Sequence, residues 1–390
     1  MKHRVLAGAV LAAIGLNSPV LMAHEGEGGD GGHMIPHEVG GIEIDGGMTW
    51  YFQGTDGSNN DSADLTYTLD LNFTAPVGEN GQAVIAFEAG NGDGVDGRLG
   101  SLSTANYDAF VTDVTSSATG ATDLNSPNIS QLYYEGEYLD GALTVDFGKL
   151  DVHSMTDDNA YANDETDQFL SGIFTRTAGS NFAELDRYYG PGLAGTYSAD
   201  LFDVTAVIAN GNSSGFDAII DRPYGALQVN IKPVENGNYR FFVIQDGRRY
   251  TNINSGASTD NTAWGLSFDQ ELTDGLGVFA RYSSQDDKVQ ENVVETAWSL
   301  GASLQGSLWG HDDDVLGIGY GSINVNNNTA VTTAAGLTNP DDETHWELYY
   351  KFGISDHFTV TPDIQIIGNN GGDATADTVT VYGVRAQVNM

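Results

Sequence analysis

Leu65, Tyr67, Leu69, Leu71 and Phe73 are apolar, and Asp64, Thr66, Thr68, Asp70 and Asn72 lie between them. A strand turns successive side chains to opposite faces, so a period of two gives one face to an apolar medium and the other to water. The pattern recurs at Trp298, Leu300, Ala302 and Leu304 against Ser299, Gly301, Ser303 and Gln305. It recurs at Trp346, Leu348, Tyr350 and Phe352 against His345, Glu347, Tyr349 and Lys351. Phe358, Val360, Ile364 and Ile366 oppose Thr359, Thr361, Asp363 and Gln365. The last strand, Thr378 to Met390, sets Tyr382, Val384, Ala386, Val388 and Met390 against Arg385, Gln387 and Asn389.

The connections between such segments alternate in length. Short ones fall near Pro76–Gly81, Leu139–Gly141, Ala199–Leu201, Pro233–Asn238, Thr273–Gly275, Leu308–Asp312 and Ser355–Asp356. Long polar ones fall near Gly54–Ser62, Gly90–Asn128, Leu150–Ser180, Asn210–Asp221, Gly247–Asp260, Gln285–Asn292, Asn326–Asp342 and Gly368–Thr378. Seven short and eight long connections imply about sixteen strands. An even number of antiparallel strands, with short turns at one end and long loops at the other, describes a transmembrane β-barrel. The short turns then lie in the periplasm and the long loops outside the cell. A soluble sandwich or propeller would explain the alternation but not the even count or the asymmetry of the loops. A mean hydropathy of −0.25 is compatible with a barrel, since only alternate residues face lipid. The aromatic clusters Trp50-Tyr51-Phe52, Tyr133-Tyr134 and Tyr349-Tyr350 stand where interface girdles belong. Such barrels usually end in an aromatic residue, and Met390 departs from that.

Residues 1–23 read as a secretory signal. Lys2 and Arg4 precede an apolar core from Val5 to Leu16, and Leu21-Met22-Ala23 offers a cleavage site. That core is too short to span a bilayer, and no later run is long enough. Residues 24–41 form a Gly-rich acidic leader carrying His24, His33 and His37. With Glu25 and a free amine these could ligate a transition metal, but their spacing matches no compact site. The barrel proper is expected over 42–390. Without Lys2 and Arg4 the chain holds 13 bases against 54 acids, a net charge of −41, which repels nucleic acid. The absence of cysteine suits an oxidising envelope compartment.

Leu143, Val145 and Phe147 begin a strand that runs into about thirty residues rich in Asp, Asn and Thr, ending near Phe174. A loop of that length and polarity is expected to have a function, and here to fold partly into the lumen. It supplies Asp157, Asp158, Asn159, Tyr161, Asn163, Asp164, Glu165, Asp167, Gln168 and Phe169 as candidates to contact a solute. By alternation, inward strand positions include Gln131, Glu135, Asp146, Arg281, Glu347, Lys351, Asp363 and Arg385. Opposed carboxylates and bases across an opening, with aromatic faces, offer the paired donors and acceptors that sugars need. The acid excess predicts easier passage for cations than for anions.

Three segments resemble the carbohydrate-selective porins of the OprB type. They are FGKLDVHSMTDDNAYANDETDQFLSGIF, SLGASLQGSLWGHDDDVLGIGYG at 299–321, and ETHWELYYKFGISDHFTVTPDIQII at 343–367. Together they cover about a fifth of the chain in consistent order. The resemblance implies a sixteen-stranded outer-membrane barrel, narrowed by inward-folded loops, that lets mono- or oligosaccharides diffuse. It also implies pore roles for Asp157, Asn159, Asn163, Glu165 and Gln168. Its surroundings would be outer-membrane lipid and lipopolysaccharide, and its cargo small sugars, other hydrophilic solutes or cations. Such porins are often trimers, but no residue pattern marks a subunit face.

Other readings are a general or cation-selective channel, a plugged structural barrel, and a barrel enzyme. Gly211-Asn212-Ser213-Ser214-Gly215 spells a nucleophile elbow, but no helix follows it. Asn91-Gly92-Asp93-Gly94 fails as a calcium loop, with Val95 and Leu102 where acids are required. No motif asks for a cofactor.

Overall fold

The computed structural model describes residues 38–57, 61–92, 94–110, 128–179, 189–210 and 222–390. The expected signal, most of the leader with its three histidines, the Gly211–Gly215 motif and Asp93 lie outside the described residues. The strands are β1 (Glu38–Val39), β2 (Ile42–Asp56), β3 (Ala63–Pro76), β4 (Gly81–Asn91), β5 (Asn128–Tyr138) and β6 (Leu143–Asp151). They continue with β7 (Tyr189–Ser198), β8 (Phe202–Asn210), β9 (Pro223–Ile231), β10 (Gly237–Thr251), β11 (Ser258–Thr273) and β12 (Leu276–Gln285). The last are β13 (Val294–Gln305), β14 (Val315–Val325), β15 (Glu343–Ser355), β16 (Phe358–Gly368) and β17 (Val379–Asn389). β1 is a two-residue arm folded back on the start of β2. From β2 onward each strand pairs antiparallel with its neighbours in sequence, and β17 pairs with β2, Val384 opposite Phe52. The result is a closed barrel of sixteen strands, as the alternation and the loop tally predict. Closure leaves no strand edge with unpaired amides. No described helix is long and apolar enough to cross a membrane.

The pleat sorts side chains as expected. Phe52, Leu65, Leu132, Phe147, Trp264, Leu300, Trp346 and Ile364 are exposed on the outside. Thr49, Gln53, Thr66, Gln228, Ser267, Ser299 and Gln365 are buried on the inside. This inverts the rule for soluble chains, and it is stable only if the medium outside is apolar. The same pleat corrects the aromatic clusters, because neighbours in a strand point to opposite faces. Trp50, Phe52, Tyr134 and Tyr350 lie on the outer face, while Tyr51, Tyr133 and Tyr349 point into the lumen. An outer aromatic row does form, with Trp346 against Tyr320 (ring centroids 4.4 Å apart) and Tyr320 against Trp298 (5.5 Å).

Turns at one end are tight. β11 and β12 join through Asp274-Gly275, where Gly275 takes φ +84°, a left-handed conformation that favours glycine. At the other end, described parts of two connections turn inward: 94–110 of the β4–β5 loop and 152–179 of the β6–β7 loop. The first carries a single helical turn, α1 (Asp96–Leu99), and the second carries α2 (Gly172–Thr175).

The apolar core lies between these loops and the wall. Leu150, Val152 and Met155 pack on Tyr224, Phe242 and Ile244. Phe169, Ile173 and Phe174 pack on Phe279, Ile323 and Tyr349. Val95, Leu99 and Ala105 pack on Ile367, Val379 and Val381. Burying each such large side chain stabilises the infolded loops by about 1.5–3 kcal/mol. The wall makes room with glycine: a Cβ on Gly319 would sit 2.7 Å from the Phe174 ring and 3.0 Å from the Phe169 ring.

Candidate pore constriction

The β6–β7 loop crosses the lumen and is tied to the wall at many points. Arg281 of β12 is its chief anchor. The Arg281 Nε donates to Asp157 Oδ1 (2.8 Å), and its two terminal nitrogens donate to the carbonyls of Asp157, Ala162 and Phe174 and to Asn163 Oδ1. Asp157, at φ +62°, also accepts from the Thr177 amide (2.8 Å) and donates its own amide to Gln228 (2.9 Å). Asp158 pairs with Arg240 (2.9 Å). Asn159 donates to Ser267 Oγ (3.2 Å) and to the Phe268 carbonyl (3.1 Å).

Further along, Gln168 folds the loop on itself. It accepts from the Asn163 amide (2.7 Å) and donates to the Ala160 carbonyl (3.0 Å). Asp164 caps the following turn by accepting from the Thr166 amide (2.8 Å). Arg385 of β17 donates to the carbonyls of Glu165 (2.7 Å) and Gln168 (3.0 Å). Lys351 of β15 pairs with Asp167 (2.8 Å).

β15 forms a rail for both loops. Glu347 accepts from the Leu170 and Ser171 amides (2.6 and 2.9 Å). Glu343 accepts from the amides of Leu102, in the β4–β5 loop, and Gly371 (2.9 and 2.6 Å). His345 lies between them, against Glu343 (2.7 Å) and Ser171 Oγ (3.4 Å). The two loops are also joined directly, Tyr107 N to Leu170 O and Gly172 N to Thr104 O, both 2.9 Å.

The structure thus divides the candidates. Asp157, Asn159, Asn163, Arg281 and Glu347 are buried between loop and wall, where they fix the loop. Phe169 is a correction: it is fully enclosed and packs against Phe174 and Tyr349, with no face toward a solute. The reason is that a single loop must supply its own apolar anchor as well as its polar surface. Tyr161 is half-buried. Asp363 accepts from Gln365 (3.0 Å). Glu135 and Asp146 stand side by side on β5 and β6, and Glu135 accepts from Gln82 (2.8 Å).

Sequence reasoning missed Tyr51, Glu343, Arg240 and the whole contribution of the β4–β5 loop. Arg240 carried a signal, a lone base flanked by Tyr239 and Phe241 on the opposite face.

Charge is segregated around the ring. The lumen-facing bases lie on β10–β17: Arg240, Arg281, Lys351 and Arg385 grip the β6–β7 loop, and Arg248 pairs with Asp246 on its own strand. Inward positions of β2–β6 carry Asp45, Asp70, Glu88, Glu135 and Asp146 and, among the described residues, no base.

Burial pushes several loop carboxyls up. Glu165 is driven well above its ordinary range by burial and by the charges of Asp108 and Asp164. Asp164 is raised by burial and Asp167. Asp157 is raised by burial against the opposing pull of Arg281 and Arg176. Burial also acts on Asp167, but Lys351 outweighs it and holds that group low.

In the β4–β5 loop, burial lifts Asp96 to about 7 and Asp108 to about 6. Bonds from the Ala105 and Asn106 amides oppose the shift at Asp96, and so does the charge of His345, while Glu343 adds to it. At Asp108, Thr68, Tyr51 and Arg385 oppose it and Asp164 adds to it. The infolded loop therefore binds protons that a released loop, with carboxyls near pKa ~4, would not. Its hold is strongest below pH ~4 and weakens as pH rises toward 7. Open-channel current noise is expected to fall between pH 8 and pH 5, and Asp108→Asn should flatten that dependence. Noise independent of pH in the parent protein would contradict it.

A closed sixteen-stranded barrel with an apolar belt, a polar interior and loops folded across it defines a porin-type barrel of the bacterial outer membrane. The family model "Carbohydrate-selective porin, OprB family" matches residues 54–390, and the chain belongs to that family. Porin B of Pseudomonas aeruginosa is 30% identical over 135 residues, which is 31% of this chain and 29% of that one. Porin AaxA of Chlamydia abortus is 23% identical over 272 residues, 66% of this chain and 56% of that one. The chain therefore spans about half the length, or less, of these curated relatives. Among solved structures, the high-pH structure of Pseudomonas putida OprB superposes with a TM-score of 0.75 at 19% identity, covering 90% of this chain and 94% of that one. The outer membrane channel DcaP of Acinetobacter baumannii gives 0.57 at 11% identity, covering 90% and 97%. These likenesses show the fold.

Proposed function

We propose that this barrel is a diffusion channel for small hydrophilic solutes, neutral sugars foremost, with its short turns in the periplasm. The observation that carries this reading is the β6–β7 loop, held across the lumen by a polar network and facing an acid-lined wall on β2–β6. The loop narrows the passage without lining it with apolar groups, which suits solutes that trade water for hydroxyl and amide partners. Family membership supports sugars as the class. The candidates with accessible side chains are Tyr161, Asp158, Glu165, Asp167 and Gln168 from the loop and Glu135 from the wall, while Asp164, Asp146, Asp363 and Arg385 are buried. Because the inward bases are engaged with the loop or with carboxylates of the wall, small cations should pass more easily than anions.

The test is made on purified protein in planar bilayers and liposomes. A large steady conductance step, a reversal potential of cationic sign across a salt gradient, and liposome swelling faster in glucose than in non-sugar solutes of equal size are expected. Absence of a conductance step, anion preference, or equal swelling rates would each remove the corresponding part. A general cation-selective channel is the second reading, favoured by the acid wall alone. Homotrimer assembly belongs to the proposal through the family, and native mass measurement in detergent tests it.

A further inference from the structure

A cavity of about 400 Å³ opens between the β6–β7 loop and the short-turn rim of the barrel, lined by Ala160, Tyr161, Asn236, Asn238, Asp269 and Glu271. Its volume falls in the ~300–1,000 Å³ range of small-molecule sites. We propose that it is a subsite for one neutral pyranose ring, met by a solute after it has passed the loop. The inference rests on the channel reading above.

The lining is preset. Tyr161 lies flat against Gly277 of β12, where a Cβ would come within 2.1 Å of the ring. Its amide donates to Asn159 (3.1 Å), which is itself bonded to Ser267. The aromatic platform is therefore fixed before a ligand arrives, and an aromatic face takes the C–H face of a pyranose. On the facing wall Asn238 donates to Asp269 (2.8 Å) and Asn236 donates to Glu271 (2.5 Å). Arg240, which also pairs with Asp158, holds Asp269 from behind. Asp269 is enclosed and sets Asn238 in place, so the oxygens the wall presents to hydroxyl donors are those of the accessible Asn236 amide and Glu271 carboxylate. No base lines the cavity, so a phosphorylated or carboxylated sugar finds no counter-charge.

The full-length protein in planar bilayers, titrated with maltotriose from the short-turn side, tests this. Tyr161→Ala should raise the half-blocking concentration about tenfold, and Tyr161→Phe by less than about threefold. Asn236→Ala should raise it about threefold or more. Heat-shifted gel migration confirms that each variant is folded. Folded Tyr161→Ala and Asn236→Ala barrels that block like the parent would overturn the subsite. A parent that swells in sugar but shows no block from that side would also overturn it, leaving the channel reading intact. A parent that neither passes nor binds sugar would overturn both. Stronger block by spermidine than by maltotriose, abolished by Glu271→Gln, would replace the sugar site with a cation site.

Discussion

Replacing Arg281 with alanine is expected to free the β6–β7 loop, making the channel noisier and more conductive and the barrel less stable. One guanidinium serves five acceptors on the loop, in Asp157, Ala162, Asn163 and Phe174. Its removal strands the buried Asp157 carboxylate without its partner. Breaking a buried pair from one side costs about 3–5 kcal/mol. Lysine should not rescue it, because one ammonium cannot reproduce a planar fork. Changing Asp157 to asparagine in the same chain removes the stranded charge and should recover part of the loss. Single-channel recording and denaturant unfolding in detergent check this. An Arg281→Ala barrel with the parent's conductance, noise and unfolding midpoint would show that the guanidinium does not hold the loop.

Glu347→Ala is expected to loosen both infolded loops at once. It deprives the Leu170 and Ser171 amides of their acceptor, and each orphaned buried amide costs about 1–3 kcal/mol. The β4–β5 loop should follow, since Tyr107 and Thr104 are bonded to the same segment. Hydrogen exchange at Leu170, Ser171, Gly172 and Tyr107 should accelerate about tenfold or more. Glutamine keeps one acceptor oxygen and should give an intermediate rate. Acceleration confined to Leu170 and Ser171 would mean that the two loops move independently.

The wall was legible because its information is local. Trp346 and Glu347 are neighbours, and a period of two alone tells which meets lipid and which meets the lumen. The loops have no such period. Asp157 and Phe169 stood together as solute contacts, yet one ties the loop to Arg281 and the other fills its apolar core. What decides between such roles is a partner far along the chain: Leu170 meets Glu347 across 177 positions. Spacing within a loop carries no trace of such pairings. The β4–β5 loop was opaque for the same reason. Asp108 looks like one more solvated acid until Thr68 and Tyr51 enclose it.

Where the sheet joins on itself, β17 lies beside β2, and the Glu165 carbonyl accepts from Arg385 on one strand and Tyr51 (3.4 Å) on the other. The loop therefore straddles the line where the first and last long strands meet, like a clasp over a seam. The sealed cylinder and its throat therefore share these contacts. A chain arrested before β17 would have neither, and its two open margins would invite pairing with other unfinished copies.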